Sequence, residues 1–386
     1  MASERGSVQA FLEQADQVWK TNDGGALAEL FAEDGSYGPL RRERAGARMG
    51  VAEPSNSALS DRRRSEDMST TRPSQMAALL AREHDQGPER MSVEERSRPE
   101  PGIGDVLIQV GAASFTPTEL QWPSTWVDRS GRDRRPVIPG HEVSGTVVAL
   151  GYGTAGFGVG GEVFGLTDWY RDGSLAEFVA VEARNLATKP VSLSHVDAAA
   201  FPMTALTAWQ ALFVHADLQA GQTVVIHGAG GGVGTLAVQL AVSAGARVIG
   251  TGRADARDLV LRLGAEQYLD LAHDALEDVQ GVDVVFDLIG GDVLHRSGPM
   301  LRPGGSIVSI VEQPNAERAD VNCLLFVVEP NGEQLTDLAR RIDTERLRPV
   351  VGDVGALSDG PRLWAKKVAG GVPGKVVLTP SSPAVG

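Results

Sequence analysis

A glycine-rich run, HGAGGGVG at residues 227–234, lies between an apolar strand candidate and a helix candidate, and few folds accept that order. Upstream, TVVIHG (223–228) reads as a buried strand. Downstream, TLAVQLAVSAGA (235–246) has helical spacing and stops near Gly245. Gly228, Gly231 and Gly234 fall three residues apart. Without Cβ atoms there, the chain turns tightly and the helix packs close to the strand. A pyrophosphate can then reach backbone N–H groups at the positive end of the helix dipole. Gly228, Gly230, Gly231, Gly232, Val233 and Gly234 are therefore expected to hold the phosphates of a dinucleotide. The competing reading is a glycine-rich turn with no ligand.

The strand–helix alternation continues. RVIGTG (247–252) is a second strand, ADARDLVLRLGA a helix stopped by Gly264, and QYLDL a third strand; DVVFDLIG (283–290), SIVSIV (306–311) and LLFVV (324–328) supply three more. Six strands with interleaved helices predict an α/β fold with a doubly wound parallel sheet, a Rossmann domain. At the end of its second strand, an acidic residue would accept hydrogen bonds from an adenosine ribose and repel an added phosphate. This chain has Thr251, Gly252 and Arg253 there. A hydroxyl, a small residue and a guanidinium suit a 2′-phosphate, so NADP(H) is expected over NAD(H). Arg257 is the alternative partner, and a solvated Arg253 the alternative without a ligand.

Composition narrows the partners. Lys and Arg total 36 against 50 Asp and Glu, a formal charge of −14, the wrong sign for nucleic acid or an anionic membrane surface. A single cysteine, Cys323, rules out an intrachain disulfide and a four-thiolate zinc site, and fits a reducing compartment. The polar MASERGSVQAFLEQ start lacks the pattern of a signal peptide, so a cytoplasmic location is expected. No charged residue occurs between Asp217 and Arg247, but the glycines, Gln222, His227 and Gln239 argue against a lipid-spanning helix.

Four segments are expected along the chain. Residues 1–72 form an extension: an amphipathic helix candidate (VQAFLEQADQVW), a second apolar run (LAELFAEDGSY) and an arginine-rich linker. Its helix, turn and FAEDG pattern resembles the opening of SnoaL-like/NTF2-like proteins, and a non-catalytic appendage is expected. Residues 73–192 are β-rich, with DVLIQVGAA (105–113) and EVSGTVVAL (142–150) separated by Pro- and Gly-containing turns. SHVDAAAFPMTALTAWQALF (194–213) is a helix with Ser194 as N-cap, opening the nucleotide-binding segment 193–330; residues 331–386 follow.

Several motifs in order carry a resemblance to the medium-chain dehydrogenase/reductase superfamily, specifically its zinc-independent quinone oxidoreductase-like branch. They are RPEPGIGDVLIQV, IPGHEVSGTVVALG, VGGEVFGL, GSLAEFV, FPMTALTAWQAL, HGAGGGVGTLAVQLA, GVDVVFDLIGG, LRPGGSIVSI and PGKVVL. The resemblance implies a GroES-like catalytic domain made from segments 73–192 and 331–386, with the Rossmann domain inserted between them, and a homodimer. It also implies cofactor contacts by Thr207, Ile289, Ile310, Phe326, Val327 and Val328. Thr207 is alternatively a helix hydroxyl bonded to its own preceding turn. Metal-dependent relatives bind zinc through a Cys, the His of GHE and a further ligand. Here His141 and Glu142 remain, but Thr116 occupies the Cys position, so no metal is expected and His141 reads as a hydrogen-bonded structural residue, with a direct role as the alternative.

Without a Lewis acid, an isolated ketone is hard to reduce because charge must collect on one oxygen. A quinone or α,β-unsaturated carbonyl spreads that charge, and NADPH-dependent reduction of such a substrate is the implied activity. Thr116 as polar donor, Trp122 as aromatic wall and Tyr170 as acid are the candidate catalytic residues; packing or loop roles are open for each, and solvent is the alternative proton source. Trp122 and Trp126 together suit a lid over a flat substrate or simple packing. An NADPH-binding protein without turnover and a zinc alcohol dehydrogenase are the competing functions.

Overall fold

The computed structural model describes residues 75–380 apart from 85–86, 317, 346 and 371; the N-terminal extension and the resemblance drawn for it lie outside the described residues. β1 (Gln75–Leu80) and β2 (Ser92–Ser97) pair as an antiparallel ribbon. The β-rich segment then supplies β3 (Asp105–Ser114), β4 (Glu142–Leu150), β5 (Glu162–Leu166), β6 (Phe178–Glu182) and β7 (Leu186–Thr188). β4 covers the run read from the sequence residue for residue. These strands alternate β-branched and small residues between Gly- and Pro-containing turns, and their apolar side chains meet in one cluster with Leu79, Ile108, Val143, Leu175 and Trp364 buried.

The expected long helix after Ser194 is instead three pieces. Ser194 caps α1 (His195–Ala199), its Oγ accepting from the Asp197 N–H at 3.1 Å. Pro202 then starts α2 (Pro202–Trp209), and Gln210–His215 form a π-helical turn. Proline lacks the N–H that a continuous helix requires, which breaks the segment at Phe201. Next come β8 (Thr223–His227), α3 (Gly232–Ser243), β9 (Arg247–Gly252), α4 (Arg257–Arg262), β10 (Gln267–Asp270), β11 (Val282–Asp287), α5 (Gly291–His295), β12 (Leu301–Ser309) and β13 (Asn322–Leu325). All neighbours are parallel, in the order β10-β9-β8-β11-β12-β13. That order reverses direction beside β8, the switch point outside which open α/β sheets bind ligands. The uncharged stretch before Arg247 resolves into β8 and α3, buried inside this domain. No helix among the described residues is long and apolar enough to cross a membrane.

After α6 (Gly332–Glu345) the chain returns to the first sheet through β14 (Val351–Ala356), α7 (Gly360–Val368) and β15 (Lys375–Thr379). That sheet runs β14-β15-β3-β4-β5-β7, with β6 also on β3. β15 is pinned to β3: Ser114 Oγ donates to the Val376 carbonyl at 2.9 Å, and Phe115 stacks on Trp364 of α7 with centroids 4.0 Å apart. The Trp364 indole N–H donates to the Pro117 carbonyl at 3.1 Å, fixing the turn that carries Thr116. The residue before β15, Gly374, forms an isolated parallel bridge with Gly231, so the returning segment touches the glycine-rich loop of the other sheet.

Candidate active site

Gly228 leaves β8 with φ +76°, and its N–H and that of Ala229 both donate to the Thr251 carbonyl, 3.0 Å each. Gly231 then stands at the N-cap of α3 and offers no capping side chain. Thr235 closes the first helical bond onto Gly231, leaving the amides of Gly232, Val233 and Gly234 as the first turn without intrahelical acceptors. A Cβ on Gly234 would lie 2.2 Å from the Gly228 carbonyl oxygen, and one on Gly230 2.3 Å from Cβ of Ala256. Strand, loop and helix are thus packed as closely as glycine allows, and the donors at the helix start have no side chain competing for them. This cradle fits a dinucleotide pyrophosphate.

Cations that the sequence reading did not single out surround the cradle. Lys375 is 6% exposed. Its stem approaches Gly232, whose Cβ would meet Lys375 Cδ at 3.2 Å, and its ammonium pairs with buried Glu142 and donates to the Phe115 carbonyl at 2.8 Å. Glu142 also accepts from the Met203 N–H of α2 at 3.1 Å. Burial pushes the Glu142 carboxyl above its usual range, opposed by the neighbouring ammonium of Lys375. Lys367 of α7 donates to the carbonyls of Val372 and Gly374, at 2.7 and 2.5 Å. Burial first, and then repulsion from Lys375 and Arg253, bring its pKa down to about 8. A charged residue heading the apolar strand VVLT was the signal available for Lys375.

At the adenosine end the expected residues divide. Thr251 is fully buried and its hydroxyl lies 2.8 Å from Nδ1 of His227, whose Nε2 is 2.9 Å from Ser297 Oγ. Its side chain therefore points into the sheet, away from any 2′-phosphate. Burial brings the His227 pKa down to about 4, keeping this network neutral at ordinary pH. Gly252 is buried, with a Cβ that would sit 2.7 Å from the Tyr268 hydroxyl. Arg257 is engaged by the Tyr268 carbonyl and Asp274. Arg253 is exposed, donating to the Gly370 carbonyl at 3.1 Å with Asp255 3.6 Å away.

Among the other residues expected to contact a cofactor, Thr207 is buried in α2 and donates to the Met203 carbonyl at 2.6 Å, so its proton is used within its own helix. Ile289 and Val327 are exposed just beyond the ends of β11 and β13, and Ile310 is half-buried against the domain core. Phe326 and Val328 instead face that core, where Phe326 lies 4.7 Å from the His215 ring. Alternation along an extended segment sends Val327 one way and its two neighbours the other.

The catalytic candidates are not all brought together. Thr116 is half-buried at the end of β3, its N–H donating to Glu119 at 3.0 Å. Trp122 packs edge-on against Trp169, centroids 5.9 Å apart, and His141 lies 6.1 Å from Trp122 and 5.1 Å from Trp169. Trp126 is buried with its indole N–H on the Leu120 carbonyl, so it belongs to the core and not to a lid. Tyr170 lines a different cleft of about 750 Å³, with Arg96, Arg134, Arg171 and Phe178, and Arg129 lies over its ring. It shares that cleft with neither Thr116 nor Trp122, which separates it from the other two candidates.

His141 also departs from expectation. It is 2% exposed, yet neither ring nitrogen has a hydrogen-bond partner. Glu119 faces Nδ1 at 3.4 Å, its own oxygens taken by the N–H groups of Gly140 and Thr116. The Thr167 hydroxyl is likewise buried and unpartnered, and its N–H donates to the His141 carbonyl at 2.9 Å. Each unsatisfied buried group costs about 1–3 kcal/mol. Catalytic zinc takes three protein ligands. Among the described residues no three His, Cys, Asp or Glu side chains converge, and Cys323 lies on β13 of the other sheet. The donors around His141 do not fit zinc.

Family models cover both halves of this arrangement: an alcohol dehydrogenase GroES-like domain over residues 102–191 and a zinc-binding dehydrogenase domain over residues 232–326. The chain is 32% identical over 294 residues to 2-methylene-furan-3-one reductase of Solanum lycopersicum, covering 71% of each chain. It is 32% identical over 274 residues to the chloroplastic NADPH-dependent alkenal/one oxidoreductase of Arabidopsis thaliana, covering 67% of each. The solved quinone oxidoreductase of Coxiella burnetii superposes with a TM-score of 0.74 at 28% identity, over 80% of this chain and all of that one.

Proposed function

Since the chain belongs to the medium-chain dehydrogenase/reductase superfamily, in its quinone oxidoreductase-like branch, and is an NAD(P)H-dependent oxidoreductase of that type, we propose that it uses NADPH to reduce a quinone or an α,β-unsaturated carbonyl without a metal. The observation carrying this reading is the uncapped glycine cradle with the Lys375 stem against Gly232, together with a histidine that lacks the ligand set of zinc. Two of the relatives carry names of conjugated-carbonyl reductases.

When bound, the dihydronicotinamide supplies the hydride. The chain's residues do the rest. Amides of Gly232, Val233 and Gly234 would take the pyrophosphate, and Lys367 would balance part of its charge. Arg253 takes the 2′-phosphate, since Arg257 and Thr251 are committed elsewhere. Trp122 and Trp169 wall the side of the cleft where a flat acceptor stacks. A homodimer through the β13 edge belongs to the same reading: β13 ends the six-stranded sheet and exposes Leu324 and Leu325.

Purified protein mixed with NADPH and a panel of quinones, enones and simple aldehydes is expected to oxidise the coenzyme with the first two classes. Coenzyme binding with no acceptor-dependent oxidation would instead establish a binding protein. Arg253→Ala should weaken NADPH by about tenfold or more, the scale of a lost hydrogen bond to a charged group, and leave NADH within about twofold. Equal losses for both coenzymes would remove the 2′-phosphate assignment. Lys367 carries its proton below about pH 8 and loses it above. The NADPH dissociation constant should therefore rise about fivefold between about pH 7 and about pH 9, the size of a ~1 kcal/mol screened charge contact. Fluorescence titration should show that step flattened in Lys367→Met.

A further inference from the structure

Two polar groups remain unexplained by the cofactor cradle: the ring of His141 and the hydroxyl of Thr167, both buried, both without partners, and joined through the backbone. They sit beside the two tryptophans that wall the cleft, Trp169 two residues beyond Thr167 and Trp122 across from His141. The next residue, Glu142, reaches both α2 and Lys375, so this spot adjoins the cofactor side of the cleft. Buried polar groups are normally satisfied. Two orphans facing one aromatic wall match what a carbonyl oxygen would satisfy.

We propose that His141 and Thr167 form the carbonyl-binding end of the acceptor pocket, with His141 as the acid that protonates the acceptor oxygen. Glu119 faces Nδ1 and leaves Nε2 for the acceptor. In an enone, hydride and its electron pair form the new bond at the β-carbon, the carbon–carbon π pair shifts toward the carbonyl, and negative charge gathers on oxygen. His141 gives its Nε2 proton to that oxygen, producing an enol that tautomerises in water, and the ring regains a proton from solvent. The dihydronicotinamide is oxidised as the enone is reduced. Thr167 donates a hydrogen bond to the same oxygen throughout. His141 is thereby a catalytic residue and not structural filling, and its tryptophan neighbours hold the flat body of the acceptor. This rests on the reading that the substrate is a conjugated carbonyl.

The test separates binding from proton transfer. Benzylacetone, a saturated ketone that cannot be reduced at carbon–carbon, is titrated against enzyme holding NADP⁺ and followed by tryptophan fluorescence; benzylideneacetone reports turnover. His141→Leu and Thr167→Val should each weaken benzylacetone about fivefold or more while leaving NADPH affinity within about twofold, which also shows that the variants fold. His141→Gln keeps a donor but no transferable proton, so benzylacetone should bind within about threefold of the parent while kcat falls about 100-fold. Unchanged benzylacetone affinity in both His141→Leu and Thr167→Val, or no benzylacetone binding by the parent, overturns the pocket. A kcat within threefold of the parent in His141→Gln overturns the acid. If the parent oxidises NADPH with no enone or quinone, the proposed activity fails, and the benzylacetone titration still decides whether these residues bind a carbonyl.

Discussion

Gly234→Val is expected to abolish NADPH binding while the protein still folds. The first Cβ would lie 2.2 Å from the Gly228 carbonyl oxygen and 2.7 Å from Ala229 Cα, and both are backbone atoms of the loop itself. A flexible side chain swings aside from such an approach, but a backbone cannot. The loop has to move off the helix, which carries Gly228 away from the Thr251 carbonyl and turns the amides of Gly232 and Val233 from their common focus. Overpacking of this kind costs about 1–3 kcal/mol of stability. Affinity falls further, by more than about 100-fold or ~2.7 kcal/mol, because the anion loses several donors at once. Energy transfer from tryptophan to bound NADPH measures it. Gly158→Ala, where nothing lies within 4 Å of the added carbon, is the control and should bind as the parent does. Tight binding by the valine variant would refute the cradle.

Lys375→Met should produce the largest loss of stability of any single change in the cleft. Its ammonium is the cationic partner of Glu142, whose carboxylate is fully buried. Removing one member of a buried pair leaves the other uncompensated, a cost of about 3–5 kcal/mol. At roughly 2–4 °C per kcal/mol for a chain of this size, the melting temperature should drop by roughly 6–20 °C. The sign of the pH response identifies the cause. Burial already holds the Glu142 carboxyl above its ordinary 4.5 in the native state, and without Lys375 only the weaker hydrogen bonds from the Met203 N–H and Ser114 oppose that rise. A raised native pKa means stability present below about 4.5 and lost as pH climbs through the native value. The deficit of Lys375→Met should thus shrink in acid and grow toward neutrality. Adding Glu142→Gln should recover part of it at neutral pH, and a deficit insensitive to both would exclude the pair as its origin.

The glycine loop and the six parallel strands were legible because their signals are local. Strand, turn and helix are contiguous, and Gly245 and Gly264 punctuate them. β9 even has the limits read from its sequence. The break at Pro202 was equally local, but the apolar period running through it suggested continuity. Thr251 misled for a different reason. At the end of a central strand covered on both faces, burial runs through Gly250, Thr251 and Gly252 in succession, so alternation no longer tells inward from outward. The Glu142–Lys375 pair and the setting of His141 depend on contacts between distant segments. Their residue types were visible, but their proximity was not.

The returning strand also dictates an order of events during synthesis. β15 finds its place beside β3, and Gly374 against Gly231, only after nearly all the intervening chain has been made. Such non-local pairings form slowly because loop closure precedes their reward. Until β15 docks, Glu142 lacks its counter-charge and the glycine-rich loop lacks its neighbour Gly374. A nascent chain therefore emerges from the ribosome with its parallel sheet able to assemble but the proposed coenzyme seat unfinished until β15 arrives.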